Sequence, residues 1–244
     1  MNRFSVAILL AGMGKRLRPY TEDTPKALLE LCNGRLIIDS YLTILSRYRN
    51  NIDNIFVVVG YLKEKIIEYI SRKYPELRVR YVVNNIYNIT NTSYSLYLAI
   101  NEYIKLNAVS KGMLIINGDV VIKDDIFKDL DWSESFLVSV DYNVDPESVK
   151  VSTMGDRVIE IGKDIDSGLE YIGIMYLLND HLKIYYSKLR DLMSKPRYRI
   201  LYYDDILNMV LNQFKLKNYL ISSEILLEVD TLEDYKRARS LYCS

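Results

Sequence analysis

The 244-residue chain holds one histidine, His181, and one glutamine, Gln213. A lone histidine outside every motif leaves no histidine-paired serine or cysteine nucleophile to argue from, and His181 reads as a surface or helix-start residue. Scarce glutamine is a thermophile trait that the many asparagines cancel. Cysteine occurs twice, at Cys32 and Cys243. Two are too few for a disulfide scaffold or a zinc ribbon, which points to a reducing cytoplasm. Neither sign of charge is in excess, since 32 Lys and Arg face 32 Asp and Glu. That balance removes the global field expected of a protein that binds nucleic acid or an acidic membrane. No run approaches the roughly 20 apolar residues of a membrane span, and the N-terminus enters a strand by Ser5 without a cleavable signal pattern. Repeats, low-complexity tracts and long linkers are absent too. What is left is a soluble, cytoplasmic protein, 49% hydrophobic and 26% charged, with enough chain for one real core over residues 1–244. Any phosphate ligand has to be held by local charge.

That charge is concentrated near the start. An apolar strand, Val6 to Leu10, runs into a turn of Ala11, Gly12, Met13 and Gly14, followed at once by Lys15, Arg16 and Arg18. Small residues after a strand let backbone N–H groups approach an oxyanion, and the cations add neutralising charge. Lys26 follows Pro25, whose fixed φ stiffens its approach. Two common phosphate motifs do not fit. A dinucleotide-binding turn reads G-x-G-x-x-G, with an acid at the end of the second strand. Here Leu17 stands where the third glycine belongs, and the second strand, Ile55 to Val59, ends in Gly60-Tyr61. A P-loop needs G-x-x-x-x-G-K-[ST], but Gly14-Lys15 is followed by Arg16, and Leu9 stands five places before Gly14.

The segment Leu9-Leu10-Ala11-Gly12-Met13-Gly14-Lys15-Arg16-Leu17-Arg18-Pro19-Tyr20-Thr21, with Pro25-Lys26 beyond it, resembles the signature of the nucleotidyltransferases that couple a nucleoside triphosphate to a sugar 1-phosphate or phospho-alcohol. Leu10 replaces the first of two alanines in that pattern. Lys15 replaces a Ser or Thr whose hydroxyl lies against the triphosphate, a role a lysine can fill by charge. The resemblance implies that Leu10, Ala11, Gly12, Gly14 and Lys15 bind the nucleotide, that Arg16 neutralises the β- and γ-phosphates, and that Lys26 neutralises the α-phosphate and the acceptor's phosphate.

The remainder of the chain fits an α/β class. Short β-branched runs alternate with amphipathic helical patterns through the first half, which argues for βαβ units. Strands are expected at Val6 to Leu10, Ile55 to Val59, Val79 to Val83 and Met113 to Ile116, with helices at Leu36 to Tyr48, Leu62 to Tyr74 and Ser93 to Ile104. Beyond Asp119 come short strands at Phe136 to Val140, Val149 to Ser152, Val158 to Ile161 and Ile172 to Leu177, with a hairpin turn at Met154-Gly155-Asp156. Helices at Leu182 to Leu192 and Asp204 to Leu211, strands at Lys217 to Ile221 and Leu226 to Val229, and a helix from Leu232 to Leu241 complete the pattern. Thr231 and Asp234 have the spacing of an N-terminal capping box. The expected architecture is a single Rossmann-like nucleotidyltransferase domain with a mixed, mainly parallel central sheet flanked by helices.

Asp119 lies two residues past a buried strand, in Ile116-Asn117-Gly118-Asp119. It either faces a ligand at the carboxyl edge of the sheet, beside the phosphate turn, or completes a turn. Asp230, in Val229-Asp230-Thr231, either binds a ligand or caps the last helix. The family resemblance implies that both hold Mg²⁺, a cation that takes oxygen ligands and keeps waters and phosphate oxygens. It further implies that Lys163 touches the acceptor phosphate.

The stretch Asn84 to Leu96 lacks the small-residue motif of the sugar-1-phosphate enzymes. It resembles the branch that uses CTP with phosphocholine, 2-aminoethylphosphonate or inositol 1-phosphate, with Asn91 and Ser93 offering hydrogen bonds to a cytosine edge. Ser93 equally suits a helix cap. For the acceptor, Tyr171, Tyr202 and Tyr203 would suit a cationic headgroup, while Asp141, Glu170, Asp204 and Asp205 would suit a polyol. The expectation is Mg²⁺-dependent transfer of CMP from CTP to inositol 1-phosphate or another phospho-alcohol. A sugar-1-phosphate enzyme using UTP, dTTP or GTP, or a non-catalytic regulatory subunit, are the alternatives. The protein is expected to act as a monomer or homodimer on small molecules, without nucleic acid.

Overall fold

The structure, a computed structural model, describes residues 3–107, 110–141 and 148–243. In chain order its elements are β1 (Phe4–Leu10), β2 (Glu30–Cys32), β3 (Arg35–Leu36), α1 (Ile37–Arg47), β4 (Ile52–Val59), α2 (Lys63–Lys73), β5 (Val79–Val83), α3 (Thr92–Lys105), β6 (Gly112–Asn117) and β7 (Val120–Ile122). There follow β8 (Phe136–Val140), β9 (Lys150–Met154), β10 (Arg157–Gly162), β11 (Leu169–Leu178), α4 (Asn179–Met193), α5 (Tyr203–Asn208), β12 (Lys217–Ile221), β13 (Leu226–Glu228) and α6 (Leu232–Cys243). None of the described helices is long and apolar enough to cross a membrane.

Nine strands form one sheet in the order β5-β4-β1-β6-β11-β8-β12-β10-β9. Every residue of β1 is buried, as a strand covered on both faces requires. Its alternate side chains serve two cores. Phe4, Val6, Ile8 and Leu10 pack with Ile38, Tyr41 and Leu45 of α1 and Ile66 and Ile70 of α2. Ala7 and Leu9 pack with Leu96, Ala99 and Ile100 of α3 and Leu182 and Tyr185 of α4. The alternation places helices on both faces of the sheet.

The expectation of a mainly parallel sheet holds only for the N-terminal half. Strands β5, β4, β1 and β6 pair in parallel, as do β8 and β12. Strand β11 runs antiparallel to β6, β8 and β9, and β10 runs antiparallel to β9 and β12. Parallel neighbours need a long crossover, whereas a two-residue turn enforces reversal. Gly155-Asp156 is such a turn, with Gly155 at φ +64 and Arg157 pairing with Met154.

Two small pairings were not read from the sequence. β2 and β3 form a hairpin through Asn33 and Gly34, whose φ values are 49 and 74. The Asn-Gly dipeptide is itself a strong hairpin signal. β7 pairs antiparallel with β13. Beneath that second pair lies a third apolar cluster, built from Leu17, Leu29, Leu31, Val121, Val229 and Tyr235 among others. It joins the N-terminal turn to the C-terminal helix.

Cys32 and Cys243 are disulfide-bonded, with a Cα–Cα distance of 5.5 Å across a sequence separation of 211. The expectation of reduced thiols therefore fails, and with it the cysteine argument for a reducing compartment. The pairing follows from the docking of α6 along β2. The Tyr235 hydroxyl donates to the Glu30 carbonyl at 2.6 Å, and Arg239 Nε donates to the Leu31 carbonyl at 3.2 Å. His181 lies in the first turn of α4, where its Nδ1 meets Ser135 Oγ at 2.7 Å and its ring stacks on Phe214.

Candidate active site

Parallel pairing of β1 with β6 aligns Leu9 with Asn117, so the turn after β1 and the acid after β6 emerge at one edge of the sheet. The Gly118 amide donates to the Leu9 carbonyl at 3.1 Å. A Cβ on Gly118 would lie 2.3 Å from Leu10 Cδ2 and 2.6 Å from the Leu9 carbonyl, so this close approach admits only glycine. Gly14 has φ +58 and caps a short 3₁₀ turn, Lys15–Leu17. Buried Leu17 anchors this turn and leaves Lys15 and Arg16 exposed. The Thr21 hydroxyl closes the loop on the Gly14 carbonyl at 2.7 Å, which explains the threonine of the motif.

A cleft of about 930 Å³ opens at this edge. Leu10, Gly12, Gly14, Lys15, Arg16 and Lys26 line one part of it, and Asn117, Asp119, Glu228 and Asp230 line another. Ala11 is buried beside it, its carbonyl accepting from the Tyr61 amide at 3.2 Å.

Four charged side chains form a connected chain, Arg16–Asp230–Lys26–Asp119. Lys26 Nζ donates to Asp119 Oδ2 at 2.9 Å, to Asp230 Oδ1 at 2.8 Å and to the Val229 carbonyl at 2.9 Å. Arg16 Nη2 donates to Asp230 Oδ2 at 2.8 Å. Burial works against the Lys26 charge, yet the two carboxylates outweigh it and hold the ammonium above its ordinary pKa. For Asp230, burial is likewise offset by Lys26 and Arg16, and its pKa is lowered. Glu228 behaves oppositely, because burial and the charges of Asp119 and Asp230 raise it well above the carboxylate range. The capping-box expectation is met by Thr231 and Asp234, which bond reciprocally. Asp230 is thus released from capping and faces the cleft.

The oxygen donors fit a hard divalent cation. Asp119 Oδ1 and Asn117 Oδ1 are buried without a hydrogen-bond partner, a costly state that a cation relieves. Among the described residues there is no cage of three or more His, Cys, Asp or Glu metal ligands. Two carboxylates suit Mg²⁺, which is usually held by one or two of them together with substrate phosphates. Gly173, at φ +72, brings the β11 backbone against Asn117, since a Cβ there would lie 2.4 Å from Asn117 Nδ2.

At the other end of the cleft, Lys163 Nζ sits over the Tyr202 ring, 5.0 Å from its centroid. Tyr171 also lines the cleft but is almost wholly buried, and its hydroxyl is committed to that of Tyr203 at 2.7 Å. Asp204, in the first turn of α5, lines the cleft with only 4% exposure. Burial raises its pKa to about 7. Asn91 lines the cleft as the N-cap of α3, its Oδ1 accepting from the Thr92 amide at 2.8 Å. Ser93 does not join it. It is fully buried inside α3, its hydroxyl 3.6 Å from Met193 Sδ, and Thr92 lines the cleft instead. One helical residue step turns Ser93 onto the core face.

The sequence reading passed over Asn117 and Glu228. Each stands two residues before an aspartate it did select, and that two-residue alternation along a strand was the available signal.

The Nucleotidyl transferase family matches residues 6–134. Over 236 residues the chain is 28% identical to the choline-phosphate cytidylyltransferase of Streptococcus pneumoniae, covering 96% of each protein. It is 25% identical to the 2-aminoethylphosphonate cytidylyltransferase of Lancefieldella rimae, covering 93% of this chain and 88% of that protein. The solved structure of the CTP:phosphocholine cytidylyltransferase from Streptococcus pneumoniae superposes with a TM-score of 0.82 at 26% identity, over 98% of this chain and 99% of that one. With the Arg16 and Lys26 turn and Asp119 all inside the matched span, the chain belongs to the nucleotidyl transferase family of enzymes.

Proposed function

We propose that the protein transfers CMP from CTP to the phosphate of a small phospho-alcohol and releases pyrophosphate. The chain of ion pairs from Arg16 through Asp230 and Lys26 to Asp119, at the mouth of β1 and β6, carries this reading. It gathers the cations that phosphoryl-type transfer requires beside carboxylates that suit Mg²⁺. The full-length similarity to cytidylyltransferases supports the choice of nucleotide.

In this reading an acceptor phosphate oxygen attacks the α-phosphorus of CTP. The bond from that phosphorus to the bridging oxygen breaks, and its electron pair leaves with pyrophosphate. The second pKa of a phosphomonoester is about 6, so the attacking oxygen is already ionised at neutral pH and no protein base is required. Arg16 neutralises the charge that grows on the leaving pyrophosphate. Lys26 neutralises the α-phosphate and holds the acceptor phosphate beside it, and Lys163 steadies that phosphate from the other side. Mg²⁺, held by Asp119 and Asp230, would supply further charge neutralisation at the triphosphate. Catalysis is positioning plus electrostatics.

Beyond Lys163 the cleft offers the Tyr202 ring and the buried Asp204 carboxyl. Tyr171 and Tyr203 share a hydrogen bond between their hydroxyls, and Ser148, which lines the cleft with Glu170, donates to the Glu170 carboxylate at 2.9 Å. An aromatic face and a buried carboxyl suit a cationic headgroup, which favours a phosphorylated amino-alcohol over inositol 1-phosphate. Pyrophosphate release with CTP, UTP, dTTP and GTP, each crossed with phosphocholine, aminoethylphosphonate, inositol 1-phosphate and glucose 1-phosphate, tests the proposal. Turnover with CTP and an amino-alcohol phosphate is expected. Exclusive use of glucose 1-phosphate, or no release with any pair, would overturn it.

A further inference from the structure

The Lys26 ammonium has three N–H donors, and all three are spent on Asp119 Oδ2, Asp230 Oδ1 and the Val229 carbonyl. None is left for a phosphate. Arg16 is tied to the other oxygen of Asp230. The two cations that the reaction needs at the nucleotide therefore neutralise the two carboxylates that suit a metal. We infer that Lys26 occupies the cation position between Asp119 and Asp230 when no metal is bound, and that metal loading is an exchange. Metal takes the carboxylates, and Lys26 is released to the phosphates.

Charge balance gives the exchange a direction. Arg16 and Lys26 carry two positive charges against two negative ones on Asp119 and Asp230. A divalent ion entering alone would leave a displaced ammonium beside a cluster already neutral. Entering with a polyanionic nucleotide, it brings the acceptor for that ammonium. Metal and nucleotide consequently bind cooperatively, and Lys26 carries the coupling.

The inference rests on the reading that Asp119 and Asp230 hold the metal, and the test separates the two. Mn²⁺ binding to the protein without nucleotide is measured by electron paramagnetic resonance for wild type, Lys26→Met and Lys26→Gln, each with and without Asp119→Asn. Removing the competing ammonium should tighten Mn²⁺ binding at least about tenfold, within the usual range of a coupling effect, and Asp119→Asn should abolish the gain. Binding that depends on Asp119 but is no tighter in either Lys26 variant would overturn the exchange and leave the metal site standing. No binding that depends on Asp119 would overturn both. A second measurement needs no variant. Labelling of Lys26 by an amine reagent, read by peptide mass spectrometry on the wild-type protein, should rise with Mg²⁺ but not with NaCl of equal ionic strength. An identical labelling rate in the two salts would overturn the exchange.

Discussion

The Val229 amide donates to the Asp119 carbonyl at 3.0 Å, and this bond brings together two acids that lie 111 positions apart in sequence. It extends the ladder of β7 and β13, in which Glu228 pairs with Val120. Asp119 and Asp230 are thus carried on rigid backbone, one just before β7 and the other just after β13. Lys26 reads the result, since its ammonium reaches both carboxylates and the carbonyl between them.

Asp119→Asn and Asp230→Asn should each remove most divalent-dependent turnover while preserving the fold. Each exchange keeps volume, and Lys26 retains one carboxylate and the Val229 carbonyl. Circular dichroism and kcat in Mg²⁺ check this together. Near-normal kcat in both variants would remove the two carboxylates from the mechanism.

Arg16→Ala should lower kcat by roughly 10² to 10³, the usual scale for one preorganised charge acting on a transition state, equal to about 2.7–4 kcal/mol. Arg16 is substantially exposed and bonded to Asp230 at 2.8 Å, so the fold should tolerate its removal. A rise in KM with kcat unchanged would assign Arg16 to uniform binding instead.

The disulfide joins the strand after Lys26 to the helix after Asp230. In the chain-entropy view, a link across so long a loop stabilises by about 2–5 kcal/mol. A reductant or Cys243→Ser should therefore lower Tm by on the order of 5–15 °C. An unchanged Tm, with two thiols titrating in the untreated protein, would show that the bond does not form in solution.

Strong local signals carried most of the architecture. The apolar run of β1, its glycine turn and the aspartate after β6 each announced themselves, and their convergence on one sheet edge follows from parallel pairing. Weak or long-range signals did not. β7 and β13 are three residues long, too short for periodicity to register, yet their pairing brings Asp119 and Asp230 together. The approach of Cys243 to Cys32 depends on where α6 docks, which no local pattern encodes. Ser93 and Thr92 differ by a single helical step, finer than a predicted helix boundary resolves. Tyr171 was placed at the acceptor by residue type alone, whereas its hydroxyl serves Tyr203.

Asp204 should give the acceptor a pH dependence. Its pKa is raised to about 7, by burial first and also by Asp205, while its own backbone amide and Lys163 act the other way. The carboxylate forms as pH rises through about 7, so KM for a cationic acceptor should fall across that range. The acceptor's own phosphate titrates nearer 6, and Asp204→Asn separates the two by removing only the upper limb and raising KM at high pH. Stability gives an independent sign. A carboxyl whose folded pKa is raised contributes stability below its unfolded value that is lost as pH rises through the folded one. The Asn variant should therefore gain in Tm relative to wild type as pH rises from about 4 to about 7, and the difference should level off above that. An acceptor KM with the same pH profile in both proteins would remove Asp204 from the acceptor site.

Base choice tests the cytidylyltransferase reading most directly. Asn91 lines the cleft with its Oδ1 committed to capping α3 through the Thr92 amide, so the group it has to offer a base is the Nδ2 donor. Cytosine presents an acceptor at N3 where uracil presents N–H, so the same donor is satisfied by one base and opposed by the other. A desolvated donor facing a donor has no water to turn to, and the mismatch costs more than a missing methylene. CTP should therefore exceed UTP in kcat/KM by at least about tenfold, or about 1.4 kcal/mol. Asn91→Ala should shrink that ratio but also costs the helix a cap, typically about 1 kcal/mol. Asn91→Asp keeps the capping oxygen and removes the donor, so it should lose discrimination with α3 intact. Equal use of CTP and UTP by the wild-type enzyme, or a preference for GTP or dTTP, would refute the cytidine assignment.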